Sequence, residues 1–366
     1  MIDKKKISDT LSDYGDDLTI GVLCSHSALQ IIHGAKLEGF NTIGICPKER
    51  KETYSAFPKA KPDEFLTVDK FGDVLNDENQ KKLLDKNTVI IPHGSFVEYV
   101  GAENLLNEFK VPIFGNRDSL RQEGKRSKQR EWLENSNVKM PKYYEDPSKI
   151  DEKVFVKFSG AKGGSGFFTA RSEEEFDEEI SEKLEKGLIS EEDLEDIEIQ
   201  EFVPGIRYYP HYFYSPFYDH GFNMDEGSLE ILGMDRRIEP IDEVYRGLPD
   251  MSDEFFDYTV TGNEPLVIRE KLLVDLMKIG RKVIRESSNL FSPGLVGPFC
   301  LETVYHPNRG FTVFEISGRI VAGTNLFPTG SPYSDYYFDE PMSVGRRIAR
   351  EIKSGQEKKQ LDRIIY

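Results

Sequence analysis

The sequence predicts a mixed α/β protein of two or three domains. An apolar run at 18–24, a helical pattern at 28–38 and an apolar run at 40–45 form a strand–helix–strand unit, which is typical of an open parallel sheet. Two later strands flank a glycine-rich segment, and two more form a hairpin near the end of the sequence. The length of 366 residues exceeds the size at which one core normally keeps growing.

Charge and cysteine content limit the classes of function. The chain carries 48 Lys and Arg against 65 Asp and Glu, a net charge of −17, which argues against a general nucleic-acid or anionic-membrane surface. Cys24, Cys46 and Cys300 show no paired metal-ligand spacing, so we expect reduced thiols and no structural zinc. Without a signal-peptide pattern or a membrane-length apolar run, the sequence predicts a cytoplasmic protein.

Predicted strands of the N-terminal domain end in small, polar or basic loops. The strand at 18–24 leads into the loop at 25–27, and the strand at 88–91 leads into the loop at 92–95. A further strand, predicted at 111–114, is followed by a basic loop. Ligands of open α/β sheets gather outside the carboxyl ends of the strands, so these loops are predicted to share one pocket.

The polar residues of these loops also allow simpler roles. Ser27 precedes a helix and is either part of an anion site at the helix N-terminus or an ordinary N-cap. His26 and His93 either contact a ligand or are capping or buried hydrogen-bonded side chains.

The middle of the chain predicts a small domain with a glycine-rich loop. Strands at 153–158 and 167–170 flank the loop, whose backbone N–H groups could cover phosphates with help from Lys157 and Lys162. The loop lacks the Gly-Lys-Ser/Thr of a Walker motif, and a glycine-rich hairpin is often only a hairpin. A strand at 197–201 then ends at a proline–glycine break, which is predicted either to border an adenine or to be an edge strand between domains.

Three further segments carry expectations of their own. The charged segment 118–135 is predicted as a helix that forms the passage between domains. Residues 261–263, Thr-Gly-Asn, are predicted as a loop. Residues 343–353 form an amphipathic pattern, which predicts a solvated terminal helix.

A hairpin late in the chain places two glutamates opposite each other. If its turn is centred between positions 308 and 309, Glu302 faces Glu315 and Cys300 lies beside Ser317. Opposed like charges are unfavourable unless a cation lies between them, and Mg²⁺ prefers carboxylate oxygen. The alternative is a pair of glutamates on a solvated strand face. The opposite face is predicted to carry Phe299, Leu301, Phe314 and Ile316.

Short segments throughout the chain resemble the ATP-grasp superfamily, and more closely the archaeal PurP family of formate- and ATP-dependent ligases, which make FAICAR from AICAR in purine synthesis. The resemblance implies an ATP-grasp fold with an N-terminal open parallel α/β domain at 1–122, a small lid domain at 123–205 and a C-terminal antiparallel-sheet domain at 206–366. It rests on SHSALQIIHGAKLEGF (25–40), IPHGSF (91–96), FGNR (114–117), VKFSGAKGGSGFF (156–168), HYFYSP (211–216), LGMDRR (232–237), TGN (261–263), GPFCLE (297–302) and FEISGRIVAGTN (314–325).

The resemblance also implies a role for individual residues. The residues expected to bind AICAR are His26, Ser27, Ser95 and Asn263. Those expected to bind ATP are Lys157, Gly163, Gly164, Gly166, Glu201, Val203 and Glu239. Glu302 and Glu315 are the expected metal ligands, and Arg319 and Lys157 are the expected catalytic residues.

By the same resemblance, formate attacks the γ-phosphate of ATP, and the amine of AICAR then attacks the resulting formyl phosphate. The implied cofactors are ATP and Mg²⁺ or Mn²⁺, and the implied assembly is a homo-oligomer. Departures from the family pattern at Ser165 and at 238–243 leave two alternatives open: a related ligase with another acid or ribonucleotide, and a non-catalytic nucleotide-binding protein.

Overall fold

A computed structural model describes residues 2–158, 167–239 and 259–366, without the side chains of 195 and 196. In these ranges the strands form three sheets. They lie within the expected domains, whose boundaries remain predictions. None of the helices described is both long enough and apolar enough to span a bilayer.

The first sheet is open and parallel, as predicted. It has the order β3-β2-β1-β4, and each neighbouring pair is parallel. Buried residues run almost without interruption along its inner strands, because helices cover both faces of a parallel sheet. The strands are β1 Thr19–Leu23, β2 Asn41–Pro47, β3 Glu64–Val68 and β4 Thr88–Ile90.

One sequence expectation for this sheet was wrong, and one strand was missed. The segment 111–114 makes isolated bridges, Ile113 with Ile90 and Phe114 with Ile365, instead of a strand, because Pro112 has no N–H to continue a ladder. The edge strand β3 was not predicted, since polar positions interrupt its apolar pattern and part of it is exposed.

Helices surround the parallel sheet, and the last two lead towards the rest of the molecule. They are α1 Lys4–Asp13, α2 Ala28–Leu37, α3 Lys51–Ser55, α4 Asp77–Leu84, α5 Gly94–Tyr99, α6 Ala102–Asn107, α7 Arg117–Glu123 and α8 Arg126–Asn135. The segment predicted as one charged helix is therefore two, separated at Gly124. Trp132 of α8 is fully buried, and its Nε1 donates to the backbone oxygen of Val283 at 3.1 Å. That contact ties α8 to the C-terminal part of the chain.

The second sheet is small and antiparallel. Its order is β5-β8-β6-β7, and helix α9, Glu173–Glu185, packs on it through Phe176, whose ring contacts that of Phe168. The glycine-rich segment between β6 and β7 lies outside the described residues. The strands are β5 Tyr143–Tyr144, β6 Val154–Lys157, β7 Phe168–Ala170 and β8 Glu198–Glu201.

The third sheet is the largest in the described part of the chain. Its order is β10-β11-β9-β13-β14, with β12 also paired to β11. Its strands are β9 Ile206–Ser215, β10 Phe222–Asn223, β11 Ser228–Ile238, β12 Gly262–Pro265, β13 Gly297–His306 and β14 Gly310–Ser317. Helix α10, Glu270–Leu290, packs its apolar side against one face of this sheet. The opposite face carries apolar residues such as Phe213, which pack in a separate core, and polar residues such as Glu302.

Asn263 lies on a strand, which corrects the prediction of a loop at 261–263. It belongs to β12 and pairs directly with Arg237 of β11. Sequence reasoning missed β12 because it is short and lacks the β-branched and aromatic residues that signal a strand.

The last helix, α11 at Val344–Glu357, is buried rather than solvated, which corrects the prediction for 343–353. It packs into the core that also contains α2 and part of the third sheet. Its polar face carries Arg347, which is fully buried and pairs with Glu230 and with Glu351. The polar stripe therefore meets a charged partner inside the protein instead of water.

Candidate active site

The hairpin of β13 and β14 brings the two predicted metal-binding carboxylates together. Glu302 lies directly opposite Glu315, which confirms the predicted pairing. A β-bulge follows Glu302, and beyond it His306 pairs with Gly310, one residue away from the predicted register. The predicted register was therefore correct at the glutamates and wrong near the turn. The turn is one residue shorter than predicted, and one extra residue in β14 restores the predicted pairing at the glutamates.

The bulge also changes which side chains share a face. Phe314, the extra residue, packs with buried Cys300, whereas the sequence had placed it with the opposite face. The other three residues predicted for that face, Phe299, Leu301 and Ile316, do lie together in the core beneath the sheet. The bulge thus places the ring of Phe314 on the face that carries the two glutamates instead of on the core face.

An arginine accompanies each of the two glutamates. Arg237 Nη2 lies 2.5 Å from Glu302 Oε1, and Arg126 Nη1 lies 2.7 Å from Glu315 Oε2. Burial raises the pKa of Glu302 to about 7 although Arg237 opposes the rise. At Glu315 burial also acts to raise the pKa, but Arg126 and Lys157 outweigh it and the pKa falls to about 2. The surroundings therefore give the two carboxylates different proton affinities, higher at Glu302 than at Glu315.

Sequence reasoning missed both arginines. Arg237 stands in the LGMDRR segment, two residues after Asp235 and on the same face of β11. Arg126 begins α8, 189 residues before its partner Glu315. The β-strand alternation of β11 could have indicated Arg237, but no local signal marks Arg126.

The two glutamates suit a hard cation that also binds substrate. In the described residues no group of three or more His, Cys, Asp or Glu side chains is arranged to hold a metal ion. Mg²⁺ is usually bound through one or two carboxylates, with phosphate oxygens and water completing its shell. Glu302 and Glu315 therefore fit a metal that arrives with a nucleotide, and their role as ligands remains a prediction.

Lys157, at the end of β6, is placed to meet an anion. It is almost fully buried, and its Nζ has no hydrogen-bond partner; the nearest carboxylate oxygen of Glu198 lies 3.9 Å away. Burial lowers the pKa of Lys157, and Glu198 partly offsets that effect. The ring of Phe314 lies 4.7 Å from Nζ. A buried ammonium group without a hydrogen bond is costly, and a phosphate oxygen would supply the missing acceptor.

The other described residues predicted to bind the nucleotide lie at or just beyond the ends of strands β8 and β11. Glu201 forms an ion pair with Arg309 of the hairpin turn, in which Arg309 Nη2 lies 2.5 Å from Glu201 Oε1. Glu239 pairs with Arg207 of β9. Val203 follows β8 and is partly exposed. The predicted residues Gly163, Gly164 and Gly166, together with Lys162, Ser165 and 240–243, lie outside the described residues.

The predicted AICAR residues of the first sheet meet where β1 and β4 end. His26 Nδ1 lies 2.8 Å from Ser27 Oγ, and its ring stacks on that of His93 with centroids 5.3 Å apart. Ser95 Oγ donates to Ser25 Oγ at 2.9 Å. The loops after β1 and β4 are therefore in contact, and the pocket that they were predicted to share with the loop after 114 stays a prediction. His93 itself is a capping residue of α5.

Arg50 completes this polar cluster and was not predicted. Its Nη1 donates to Ser25 Oγ at 3.2 Å, so a guanidinium group lies beside two serine hydroxyls. The sequence did not indicate Arg50. Ser25 belongs to the loop at 25–27, which had indicated an anion site.

Arg319 lies between the two halves of the site. Its Nη2 is 2.7 Å from Glu123 Oε1, and Glu123 in turn accepts from the backbone N–H of Gly318 at 3.0 Å. A Cβ placed on Gly94 would lie 3.4 Å from the Arg319 guanidinium carbon and 3.2 Å from the His26 ring. The pKa of His26 is lowered by burial, by His93 and by Arg319. Arg319 and His26 are therefore close neighbours.

Three of the predicted site residues lie on one face of the third sheet. Along it, Asn263 of β12 lies opposite Arg237 of β11, and Glu302 of β13 lies opposite Glu315 of β14. The ion pair between Arg237 and Glu302 links the two ends of this row. Asn263, predicted to bind AICAR, and the two glutamates predicted to bind the metal therefore lie on a common floor, which is one face of the third sheet.

Family models match both parts of the chain. A model described as a domain of unknown function, DUF1297, matches residues 175–366. A second, described as a protein of unknown function, DUF1246, matches residues 20–144.

Curated and solved proteins are similar over almost the whole length. The chain is 54% identical over 368 aligned positions to "5-formaminoimidazole-4-carboxamide-1-(beta)-D-ribofuranosyl 5'-monophosphate synthetase" of Korarchaeum cryptofilum, covering 100% of both chains. The crystal structure of the IMP biosynthesis protein PurP from Thermococcus kodakaraensis superposes with a TM-score of 0.72 at 31% identity, covering 95% of this chain and 100% of that one. An ADP complex of purK, N5-carboxyaminoimidazole ribonucleotide synthetase, shares the fold, with a TM-score of 0.61 at 15% identity over 91% of this chain and 76% of that one.

Proposed function

Because the chain belongs to the family of 5-formaminoimidazole-4-carboxamide ribonucleotide synthetases, the PurP family, we propose that it formylates AICAR with formate and ATP. It is an ATP-grasp ligase of purine biosynthesis. The carbon–nitrogen bond is formed between the carbon of formate and the exocyclic amine of AICAR, and the product is FAICAR. The proposed location is the cytoplasm, and the proposed assembly is a homo-oligomer.

The observation that carries the proposal is the shared face of the third sheet. A ligase that activates formate with ATP and then transfers it to a second substrate needs both ligands beside one reacting centre. Asn263 and the Glu302–Glu315 pair lie on the same face and are linked by the ion pair of Arg237 with Glu302. An activated formyl group made above the glutamates would therefore have the amine close to it.

AICAR would lie between the first and third sheets. The cluster of Ser25, Ser95 and Arg50 offers two hydroxyl groups and a guanidinium group for its phosphate. His26 and Asn263 would then border the ribose and base. The neutral form of His26, favoured by burial and by neighbouring cations that lower its pKa, suits hydrogen bonding rather than charge pairing.

ATP would lie between the second and third sheets. Lys157 supplies a buried ammonium group for the phosphates, and Glu201, Val203 and Glu239 would border the adenosine. We propose that Glu302 and Glu315 hold Mg²⁺, or Mn²⁺ in its place. When bound, the metal would neutralise charge on the transferring phosphoryl group. The glycine-rich segment containing Gly163, Gly164 and Gly166 is proposed to cover the phosphates.

The chemistry proceeds in two balanced steps. A formate oxygen attacks the γ-phosphorus of ATP while the bond to ADP breaks, which gives formyl phosphate. The amine nitrogen of AICAR then attacks the formyl carbon, the carbon–oxygen bond breaks, and phosphate leaves with the proton lost from nitrogen. Lys157 and Arg319 are proposed to hold the phosphate oxygens in line and to stabilise charge as these bonds change.

Phosphate release and product mass test the proposal together. We expect release only when ATP, Mg²⁺, formate and AICAR are all present, and a product heavier than AICAR by one formyl group. Glu315→Ala should lower turnover by at least about 10³-fold, because the proposed metal loses a ligand. The matched control Glu226→Ala removes an exposed carboxylate that pairs with Arg363 and should turn over normally.

Three outcomes would contradict the proposal in whole or in part. Turnover with another carboxylic acid or ribonucleotide, and none with formate and AICAR, would assign a related ligase with a different substrate. Binding of ATP without turnover under any substrate set would assign a non-catalytic nucleotide-binding protein. Full activity of Glu315→Ala would contradict the proposal that Glu315 binds the metal.

A further inference from the structure

The side-chain amide of Asn263 has a defined orientation. Its Nδ2 lies 2.6 Å from Asp235 Oδ2. A carboxylate only accepts hydrogen bonds, so the end of the amide that faces Asp235 must be the donating NH₂ group. The carbonyl oxygen at the other end of the planar amide therefore points away from Asp235.

Asp235 is itself held firmly. Its second oxygen, Oδ1, lies 2.6 Å from His211 Nε2, and the side chains of both residues are 2% exposed. A Cβ placed on Gly323 would lie 2.3 Å from the same oxygen, so the backbone of the turn at Ala322–Leu326 packs directly on the carboxylate. Asp235 also lies on β11, which is paired on both sides, with β12 and with β9. These contacts leave the carboxylate no room to rotate.

His211 is placed by an irregularity in the sheet. The pairing of β9 with β11 shifts between Ile231 and Gly233, and Gly233 lies opposite His211. A Cβ on Gly233 would come within 3.1 Å of His211 Nδ1. Since Nε2 faces a carboxylate, it carries the proton, and the buried Nδ1 has no hydrogen-bond partner. The imidazole ring of His211 therefore makes its side-chain hydrogen bond to Asp235 and to no other described residue.

Both oxygens of Asp235 are engaged by donors, which favours a positioning role over two other roles. A metal ligand needs a free oxygen lone pair facing the metal, and a general base must receive the proton that it removes. Asp235 Oδ1 and Oδ2 instead accept from His211 and Asn263 at 2.6 Å each. Asp235 is therefore suited to position a neighbour rather than to react.

Resting on the proposed function, we propose that Asp235, oriented by His211, is a positioning residue that turns the carbonyl oxygen of Asn263 towards the amine of AICAR. A carbonyl oxygen accepts from an amine N–H, whereas an inverted amide would direct its NH₂ group at that amine. The nitrogen becomes more positive as its bond to the formyl carbon forms, and a fixed carbonyl dipole stabilises that change. The pocket therefore selects a base that presents an N–H donor at this position.

Binding of AICAR alone, measured by calorimetry without formate or ATP, is the first test. Asp235→Leu should raise the Kd for AICAR about tenfold, because the amide is then free to turn. Asn263→Ala should have a similar effect. The double variant should bind no more weakly than Asn263→Ala, because Asp235 acts only through that amide. The Kd for Mg·ATP should stay within about twofold of the wild-type value, which also reports that the variants are folded.

The conservative variant Asp235→Asn separates positioning from a role of the negative charge. Its side-chain oxygen can still accept from Asn263 if its NH₂ group donates to His211, whose proton then moves to Nδ1. We expect Asp235→Asn to bind AICAR within about threefold of wild type. A loss of AICAR affinity well beyond threefold would show that the negative charge itself is needed, as it is for a metal ligand or a base, and would overturn the proposal. This variant remains informative if Asp235→Leu does not fold.

An analogue of AICAR with hydrogen in place of the exocyclic amine tests the selected donor. Wild-type protein should bind AICAR more tightly than the analogue, and Asn263→Ala should bind both about equally. An unchanged preference in Asn263→Ala, or additive losses in the double variant, would overturn the inference. If the wild-type protein does not bind AICAR at all, the proposed function fails instead, so the two failures are distinguishable.

Discussion

At the scale of single residues, His93 illustrates how the site keeps a histidine neutral. Its Nε2 lies 3.0 Å from the backbone oxygen of Leu23, and its Nδ1 accepts the backbone N–H of Ser95 at 3.2 Å. Both ring nitrogens are thus used by the neutral form, with the proton on Nε2. Burial lowers the pKa of His93 from 6.5 to about 4, and Arg319 acts in the same direction.

The free energy of unfolding should therefore depend on pH through His93. As the pH falls from 6.5 to about 4, the unfolded chain binds a proton that the folded protein resists, so stability is lost in this window. For one such group the loss is about 3 kcal/mol. His93→Gln should flatten the slope of the free energy of unfolding across this window, measured by urea denaturation at a series of pH values.

A histidine elsewhere provides the control for this measurement. His306 lies at the partly exposed end of β13, and His306→Gln should leave the slope unchanged. An unaltered slope in His93→Gln would show that the folded protein protonates His93 as readily as the unfolded chain does.

Sequence reasoning reached the residues of the site that carry recognisable motifs, but not their partners. Glu302, Glu315 and Lys157 were predicted, whereas Arg237 and Arg126 were not. The reason is distance along the chain, because the pair of Arg126 with Glu315 spans 189 residues. Such pairs form only when separate elements pack, and one sequence carries no periodicity that reports them.

At the scale of elements, α11 shows what an amphipathic pattern leaves open. The pattern identifies the apolar face of a helix but not what covers the polar face. Here the polar face meets Glu230 of β11, and Arg347 lies between that residue and Glu351 of α11 itself. The Arg347 guanidinium carbon also lies 4.2 Å from the ring centroid of Phe213. A stripe that predicted a solvated helix thus belongs to the interior.

Removing Arg347 should destabilise the protein strongly. Arg347→Met leaves Glu230 and Glu351 as buried carboxylates without their cation, which typically costs about 3–5 kcal/mol. Urea denaturation monitored by circular dichroism at neutral pH measures the change in the free energy of unfolding. The cost should shrink when Glu230→Gln is added, because one uncompensated charge is then removed.

A surface arginine gives the matched comparison. Arg285 pairs with Asp225 in an exposed salt bridge, where the two side chains are 50% and 78% exposed. Arg285→Met should cost less than about 1 kcal/mol. Similar costs for the two substitutions would mean that the charges around α11 contribute no more than a pair on the surface.

At the scale of the whole molecule, the three sheets carry the residues of two proposed ligand sites, which share one face of the third sheet. The proposed AICAR site lies between the first and third sheets, and the proposed ATP site lies between the second and third. The order of sheets along the chain was foreseen from strand patterns and from the family resemblance. The common floor was not, because it depends on β12, on the bulge beside Glu302 and on pairings between distant strands.

This arrangement predicts that the two ligands can be weakened separately. Lys157→Met removes the buried ammonium group proposed to bind ATP phosphate and should raise the Kd for Mg·ATP by at least about tenfold. The Kd for AICAR should stay within about twofold, since Lys157 belongs to the second sheet. Isothermal titration calorimetry with each ligand alone measures both values.

The control for this experiment lies directly before strand β5 of the same sheet. Lys142 is half exposed and pairs with Asp151 at 3.0 Å, so Lys142→Met should change neither Kd. Equal weakening of AICAR and Mg·ATP in Lys157→Met would indicate that the two sites do not act separately.

The ion pairs around the site have a consequence for how a protein of net charge −17 admits an anion. Six charged residues predicted or proposed for the site each pair with an oppositely charged partner, so these six pairs carry no net charge although the chain does. If a metal–nucleotide complex binds as proposed, the residues that it contacts would exchange partners: Glu302 and Glu315 would turn to the metal, and the cations beside them would turn to phosphate. Repulsion from the remaining surface is screened beyond about 8 Å at physiological ionic strength. The pairs that make this exchange possible are Arg237–Glu302, Arg126–Glu315, Lys157–Glu198, Arg309–Glu201, Arg207–Glu239 and Arg319–Glu123.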